Sequence, residues 1–314
     1  MKILSEHPKI EIYNDDCLEI LRNMSDESVD CCITSPPYWG LRDYGIKEQY
    51  GLEKTPEEYV AKMVEVFREV KRVLKKEGTC WLNLGDSYNG GGRGGIGCDN
   101  ASLKQSTNRG TLTMPEVIKD PRLKPKDLVG IPWRVAFALQ QDGWYLRQDI
   151  IWAKPNPMPE SVTDRCTKSH EYIFLLAKSS KYYFDNEAIK EPTKGNEHDK
   201  RARIGRKRFP TALINGIRST GYYPMANKRS VWTITTKPFK EAHFATFPED
   251  LIVPMVLAGC PKGGLVLDPF IGSGTTLVVA AKLDRGGIGI ELNPKYVEMA
   301  EKRIKVIVNQ QKLF

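Results

Sequence analysis

Two short segments near opposite ends of the chain carry the residue types from which an active site could be built. The first is Thr-Ser-Pro-Pro-Tyr-Trp at residues 34–39, and the second is Asp-Pro-Phe-Ile-Gly-Ser-Gly-Thr-Thr at residues 268–276. The first combines a hydroxyl group with a rigid backbone and aromatic rings, which suits it to holding a planar amine. The second places an acidic residue before a glycine turn, which suits it to binding a nucleoside-containing ligand.

The first segment has the groups needed to activate the exocyclic amine of a nucleobase. Such an amine is a poor nucleophile, because its lone pair is delocalised into the ring. The Ser35 side chain and the Pro36 carbonyl could accept its two hydrogens and localise the lone pair, and consecutive prolines fix these acceptors in advance. Tyr38 offers a stacking face worth roughly 1–3 kcal/mol per base, and Trp39 is a second candidate. Alone, the double proline would be interpreted as a strand end.

The second segment predicts a strand, a glycine turn and a helix in succession. Gly272 and Gly274 allow the backbone to approach a ligand, and the following helix begins with unpaired N–H groups. The segment lacks Gly-x-Gly-x-x-Gly spacing and has Asp268 at the strand tip, which favours a zwitterion such as S-adenosylmethionine over a nicotinamide dinucleotide. Glu291, about 20 residues later, ends the next strand, where an acid can bind both ribose hydroxyls.

The order of the two segments resembles that of DNA amino-methyltransferases of the beta class, in which the catalytic loop precedes the cofactor loop. This resemblance implies methyl transfer from S-adenosylmethionine to a base flipped out of double-stranded DNA, without a covalent intermediate. It implies that catalysis depends on Ser35, Pro36, Pro37 and Tyr38. It places the cofactor on Asp16, Phe247, Asp268, Pro269, Phe270, Gly272, Ser273, Gly274, Thr275 and Glu291, with Asp16 at the adenine amine. Residues 165–171 match a recurrent stretch of the family that shapes the base pocket.

The first residue of the catalytic loop favours one target base over another. In the family that the chain resembles, Ser-Pro-Pro-Tyr is typical of enzymes that modify N4 of cytosine, and Asp-Pro-Pro-Tyr of those that modify N6 of adenine. Ser35 therefore predicts cytosine, with adenine as the alternative. A methyltransferase of RNA or of a protein glutamine amide, and a catalytically silent DNA-binding module, are two further alternatives.

Alternating strands and helices predict an α/β fold with a doubly wound, mostly parallel sheet. The resemblance implies that this sheet is of the S-adenosylmethionine-dependent methyltransferase type, with circularly permuted motif order. We predict strands at 10–13, 29–34, 78–84, 144–153, 171–177, 265–268 and 287–291, and a short hairpin partner at 182–185. Helices are predicted at 17–24, 56–74, 132–141, 248–257, 274–283 and 294–308. A long loop is expected from 89 to about 126. We assign 1–189 and 241–314 to a catalytic and cofactor-binding domain, and 190–240 to an insert.

The insert concentrates the positive charge of the chain. Residues 190–240 hold 13 basic and 3 acidic residues, whereas the net charge of the whole chain is +8. Such a segment indicates a polyanionic partner, and with the two motifs it predicts a target-recognition region on DNA; alone it is equally consistent with a solvated loop. The predicted DNA contacts are Arg201, Arg203, Arg206, Lys207, Arg208, Arg218, Lys228 and Arg229.

Composition narrows the setting in which the protein acts. The sequence contains no run of about 18 apolar residues, so we predict no membrane span. Its first residues lack the apolar stretch of a signal peptide. The seven cysteines are scattered without a Cys-x-x-Cys pair, which favours reduced thiols in a cytoplasmic protein and predicts no metal site. The resemblance implies a homodimer and leaves open whether a cognate restriction endonuclease exists.

Overall fold

The computed structural model describes residues 1–41, 45–46, 48–90, 120–193, 225–236 and 248–311. Its α-helices are α1 (Cys17–Asn23), α2 (Pro56–Val73), α3 (Ile131–Gln141), α4 (Glu249–Gly259), α5 (Thr275–Lys282) and α6 (Pro294–Gln311). Its strands are β1 (Lys2–Glu6), β2 (Lys9–Tyr13), β3 (Val29–Thr34), β4 (Leu74–Leu84), β5 (Tyr145–Ala153), β6 (His170–Ala177), β7 (Glu191–Pro192), β8 (Met225–Ala226), β9 (Val231–Thr233), β10 (Leu265–Asp268) and β11 (Gly286–Ile290).

The longest predicted helix starts where its capping residues indicate. The Thr55 side chain accepts a hydrogen bond from the backbone N–H of Glu58, and Pro56 occupies the first turn of α2. Acidic side chains in that turn favour the positive end of the helix dipole. One face of α2, with Tyr59 and Phe67, is fully buried against the sheet. This burial holds α2 beside the Thr-Ser-Pro-Pro-Tyr-Trp segment at residues 34–39.

The nine-stranded sheet has the order β1-β2-β11-β10-β3-β4-β6-β5-β9. Its five central strands, from β2 to β4 in that order, run parallel, and β1 pairs antiparallel with β2 at one edge. Helices α1, α2 and α3 cover one face, whereas α4, α5 and α6 cover the other. The architecture is therefore the doubly wound, mostly parallel sheet that the sequence predicts.

One strand of the sheet is reversed, and this reversal shapes the site. β6 runs antiparallel to both β4 and β5, so that β5 has the direction of the central strands. The carboxyl end of β5 and the amino end of β6 consequently meet at the edge where β2, β3, β4, β10 and β11 also end. The connection at 154–169 leaves this edge and returns to it.

The structure corrects several predicted elements. Residues 182–185 form no strand, although Tyr183 donates a backbone hydrogen bond to Glu77. β1 was not predicted, and β4 starts four residues earlier than expected. β9 lies inside the range assigned to the insert, yet it pairs with β5 as an edge strand of the main sheet. The expected loop lies largely at 91–119, outside the described residues.

The pair β7 and β8 brings together two parts of the basic segment at 190–240, residues 191–192 and 225–226. Glu191 pairs with Ala226 and Pro192 with Met225 in a two-stranded antiparallel sheet. The chain between them, from 194 to 224, lies outside the described residues. No described helix has the length and apolar character that crossing a membrane requires.

Candidate active site

A cavity of about 370 Å³ lies at the edge where the parallel strands end. Both segments singled out in the sequence line it, the first through residues 35–38 and the second through 269–273 and Thr275. The ends of β5 and β6 add Trp152, Lys154 and Glu171 to the same wall. The fold therefore brings together two segments that are more than 200 residues apart in the sequence.

Two hydrogen bonds that involve buried side chains hold the predicted catalytic loop in place. The Tyr59 hydroxyl on α2 donates to the carbonyl oxygen of Pro37 at 2.9 Å. The indole N–H of Trp39 donates to the carbonyl oxygen of Glu53 at 2.9 Å, and its ring is 2% exposed. Trp39 is thus a core residue, and its predicted stacking role is wrong. Ser35 lines the cavity, with its Oγ 3.3 Å from the Tyr38 hydroxyl.

The Tyr38 hydroxyl lies at the centre of a polar network. It is 2.8 Å from Asn83 Oδ1 at the end of β4 and 2.8 Å from Glu171 Oε2 at the start of β6. The second Glu171 oxygen forms an ion pair with Lys154. A methyl group on Gly85 would lie 2.5 Å from the Tyr38 ring, so this glycine makes room for the tyrosine. The network fixes the ring orientation along the cavity wall.

A buried carboxylate connects the two segments directly. Asp268 is 1% exposed and does not line the cavity. Its Oδ1 accepts hydrogen bonds from the Thr34 hydroxyl at 2.7 Å and the Phe270 N–H at 3.1 Å, and its Oδ2 accepts from Thr276 at 2.7 Å. Burial raises the pKa of Asp268 to about 6, against the lowering effect of these donors. Its predicted contact with the cofactor stays a prediction, while the structure shows a linking role.

Glu291 directly follows β11 and lines a second wall of the cavity. Its carboxylate accepts the backbone N–H of Gly272 at 3.0 Å and that of Asn293 at 2.8 Å. The side chain is half-buried, and desolvation raises its pKa to about 7. Gly272 has a φ of +51°, which a glycine adopts without strain. This arrangement holds an acidic group at the cavity, ready to accept hydrogen bonds from a ligand.

Aromatic and acidic side chains complete this wall. Asp16 caps α1 by accepting the N–H of Leu18 at 2.9 Å, and it also lines the cavity. The rings of Tyr50 and Phe270 both line it and meet edge to face, with centroids 5.5 Å apart. Burial raises the pKa of Tyr50, and the nearby Cys17 and Asp16 add smaller contributions in the same direction. The wall offers apolar rings beside acceptors, as a nucleoside requires.

The other predicted cofactor residues have varied surroundings. Pro269 and Ser273 line the cavity, and Arg303 donates to the Ser273 hydroxyl at 2.9 Å and to the Thr275 hydroxyl at 3.0 Å. Gly274 has a φ of +87° and packs against Ala300, which a side chain there would meet at 2.8 Å. Gly274 does not line the cavity. Phe247 lies outside the described residues.

Only two of the predicted DNA contacts can be located. The Lys228 ammonium lies 5.1 Å from the centroid of the Trp232 ring, and Arg229 pairs with Glu191 at 2.5 Å. Both basic residues precede the edge strand β9. The other predicted contacts, Arg201, Arg203, Arg206, Lys207, Arg208 and Arg218, lie outside the described residues.

Sequence reasoning did not identify Asn83 and Lys154 as site residues, and it named Glu171 only as part of a stretch. Asn83 lies in a predicted strand and Lys154 directly follows one, so their positions in the sequence indicate only weakly that they belong to a site. Their proximity depends on the reversed β6, which no local pattern indicates. Among the described residues, no three potential metal-binding side chains come together.

Comparison with known proteins identifies the family. The sequence profile of the family described as DNA methylase, of the N6/N4 type, matches residues 29–302. The chain belongs to this DNA methylase family. It is 49% identical to the type II methyltransferase M.Cfr9I of Citrobacter freundii over 294 residues, which cover 94% of this chain and 87% of that protein. It is 48% identical to M.SmaI of Serratia marcescens, with 94% and 90% covered.

Solved structures share the fold at lower sequence identity. The PvuII DNA methyltransferase, which is cytosine-N4-specific, aligns with a TM-score of 0.63 and 19% identity over 96% of this chain and 91% of its own. The Thermus thermophilus protein TTHA0409, solved in complex with S-adenosyl-L-methionine, aligns with a TM-score of 0.59 and 23% identity, covering 95% and 94%. These alignments support the architecture of the nine-stranded sheet.

Proposed function

We propose that this protein is a type II DNA methyltransferase that transfers a methyl group from S-adenosyl-L-methionine to the N4 amine of cytosine. The observation that carries the proposal is the position of Ser35. It lines the same cavity as the glycine loop, beside the Tyr38 ring and at the start of the Ser-Pro-Pro-Tyr loop. The family membership and the type II relatives support DNA as the substrate.

The cavity wall that contains Glu291, Asp16, Tyr50 and Phe270 fits S-adenosyl-L-methionine. Each Glu291 oxygen accepts one backbone N–H, which leaves acceptor capacity for the two ribose hydroxyls. Asp16 would accept from the adenine amine, with Tyr50 and Phe270 flanking the ring. The N–H groups at the start of α5 would face the methionine carboxylate. The bound cofactor supplies an electrophilic methyl group on a sulfonium.

The catalytic loop prepares the amine of the target base. Ser35 Oγ and the Pro36 carbonyl each accept one hydrogen of the amine, so that its lone pair turns towards the cofactor side of the cavity. Tyr38 stacks on the base, which offsets part of the few kcal/mol that extruding a base from a duplex costs. The tyrosine network with Asn83 and Glu171 holds this ring before the base arrives.

We extend the proposal to the basic segment and the domain assignment. Residues 190–240 would recognise the target sequence, and 1–189 with 241–314 would perform the chemistry. Lys228 and Arg229 precede β9, which borders β5, and Lys154 directly follows β5. A duplex bound there would therefore lie next to the end of the cavity that contains Ser35 and Lys154, where the target base is proposed to bind. The competing target is adenine N6, and the competing class is a silent DNA-binding module.

Methylome sequencing of DNA from cells expressing this chain, with a Ser35→Ala strain as the control, tests the proposal. We expect N4-methylcytosine in one short motif, and none with Ser35→Ala, because the variant lacks an acceptor for the amine. Purified Ser35→Ala should bind S-adenosyl-L-methionine as the wild type does, since Ser35 is not among the proposed cofactor contacts. N6-methyladenine would overturn the choice of base, and cofactor binding without any DNA modification would favour the silent module.

A further inference from the structure

Lys154 and Glu171 form an ion pair that stability does not explain. Lys154 directly follows β5 and Glu171 lies at the start of β6; both line the cavity, and each side chain is 17% exposed. By contrast, Lys62, which pairs with Glu53, is 51% exposed. Withdrawing two charges from water is expensive, and well-packed apolar residues are often as stable as a covered ion pair. Ligand sites are mostly apolar with a few precisely placed polar groups, so a covered ion pair on a cavity wall is a candidate for a role in binding.

The pair is connected to the groups that hold the target amine. One Glu171 oxygen contacts Lys154, and the other lies 2.8 Å from the Tyr38 hydroxyl. That hydroxyl is 3.3 Å from Ser35 Oγ. The Lys154 ammonium also lies over the Trp152 ring, 4.2 Å from its centroid. The ammonium thus has a fixed position at the Ser35 end of the cavity.

The chemistry of the base edges gives this ammonium a task. Cytosine presents its amine at one end of the Watson–Crick edge and the carbonyl oxygen O2 at the other, with the acceptor N3 between them. Adenine presents the same amine and an acceptor, N1, but has a C–H group where cytosine has O2. A lysine ammonium is a donor with no acceptor capacity, so it favours O2 and gains nothing from C–H.

We propose that Lys154 is a specificity-determining residue that donates a hydrogen bond to O2 of the flipped cytosine. This inference rests on the proposed cytosine activity. Glu171 is a positioning residue, which orients the ammonium through one oxygen and Tyr38 through the other. Ser35 and Lys154 then select opposite ends of one base edge, an amine at one end and a carbonyl at the other. Uracil and thymine fail at the first end, and adenine fails at the second.

The assignment is tested by combining a substitution of Lys154 with removal of O2 from the target base and comparing the effect of each change alone and together. Duplexes carry the motif found by methylome sequencing, with one of two nucleosides at the target position. One is cytosine, and the other is the 2-aminopyridine C-nucleoside, which keeps the amine and the ring nitrogen but lacks O2. Lys154→Met keeps the aliphatic stem over Trp152 and removes the donor. We expect its kcat/KM on cytosine to fall roughly 10- to 100-fold, the effect of one charged hydrogen bond. On the analogue, wild type and variant should agree within about threefold.

Matched variants separate recognition from a loss of structure. Lys154→Met combined with Glu171→Gln avoids a buried unpaired carboxylate and should show the same substrate dependence. Lys154→Arg should recover part of the activity on cytosine and none on the analogue. Each variant should bind S-adenosyl-L-methionine with wild-type affinity, because Glu291 is untouched.

Equal losses on cytosine and on the analogue would show that Lys154 acts through the protein and would overturn the proposal. So would wild-type activity of Lys154→Met on both substrates. Failure of the proposed function is distinguishable from either result, because methylome sequencing would then show N6-methyladenine or no modified base before any duplex is made.

Discussion

Replacing Thr34 with valine removes one donor from the buried Asp268 while keeping the shape of the side chain. The lost hydrogen bond is 2.7 Å long, and its acceptor is 1% exposed. A hydrogen bond to a charged group contributes about 1.5–3 kcal/mol, and one to a neutral group about 0.5–1.5 kcal/mol. We therefore expect Thr34→Val to lower the free energy of unfolding by about 2 kcal/mol at pH 8 and by about 1 kcal/mol at pH 5.

The sign of this pH dependence follows from the pKa of Asp268. That pKa is about 6 in the folded protein, above the ordinary value of 3.8, so the folded state binds more protons between these limits. The contribution of Asp268 to wild-type stability consequently falls as the pH rises through this window and levels off above pH 6. Valine removes a donor that favours the charged form, so it raises the pKa further and extends the fall to higher pH.

Urea unfolding from pH 5 to pH 8 measures this difference. Thr79→Val is the matched control, because Thr79 is also fully buried on a neighbouring strand but donates to the neutral carbonyl of Gly259. Its effect should be independent of pH. An equal loss for Thr34→Val at both ends of the range would refute the argument that Asp268 is charged above pH 6.

Two further outcomes follow from the cavity walls. The apparent Kd for S-adenosyl-L-methionine should fall about tenfold from pH 6 to pH 8, because the pKa of Glu291 is about 7 and its charged form is the better acceptor; calorimetry of Glu291→Gln should show weaker binding without this trend. Gly85→Ala should displace the Tyr38 ring, since the new methyl group would lie 2.5 Å from it. Its kcat/KM should drop about 100-fold while cofactor affinity is retained, and unchanged activity would contradict the positioning of Tyr38.

The elements that the sequence predicts well are those with strong periodicity or clear caps. α2 has an N-cap threonine, a proline in the first turn and a regular apolar face, and its predicted and observed starts agree. β10 and β11 are short apolar runs bounded by turn residues. β9 escaped prediction because three residues in a basic segment show no period. Residues 182–185 have strand-like composition, but no neighbouring strand pairs with them.

The site was predictable to the extent that it is local. The Ser-Pro-Pro-Tyr and glycine loops each follow an apolar strand, and parallel strands end at one edge of a sheet, so their meeting could be expected. The linking role of Asp268 could not, because it depends on the side chain of Thr34 in another strand. Asn83, Lys154 and Glu171 meet only through the reversal of β6, which depends on the whole sheet.

The connection between β5 and β6 has a consequence for how such enzymes diversify. Because it leaves and rejoins the sheet at the same edge, its two ends supply Lys154 and Glu171 while its interior lies outside the hydrogen-bonded ladder. Asn156 and Ser169 anchor its two ends through hydrogen bonds to the Thr236 and Lys154 backbone. Insertions or exchanges within 157–164 can alter what approaches the cavity without changing the strand register that places those two charges. Evolution can therefore vary the substrate-facing surface of this scaffold independently of its folding, and a designer can randomise the same stretch to retarget it.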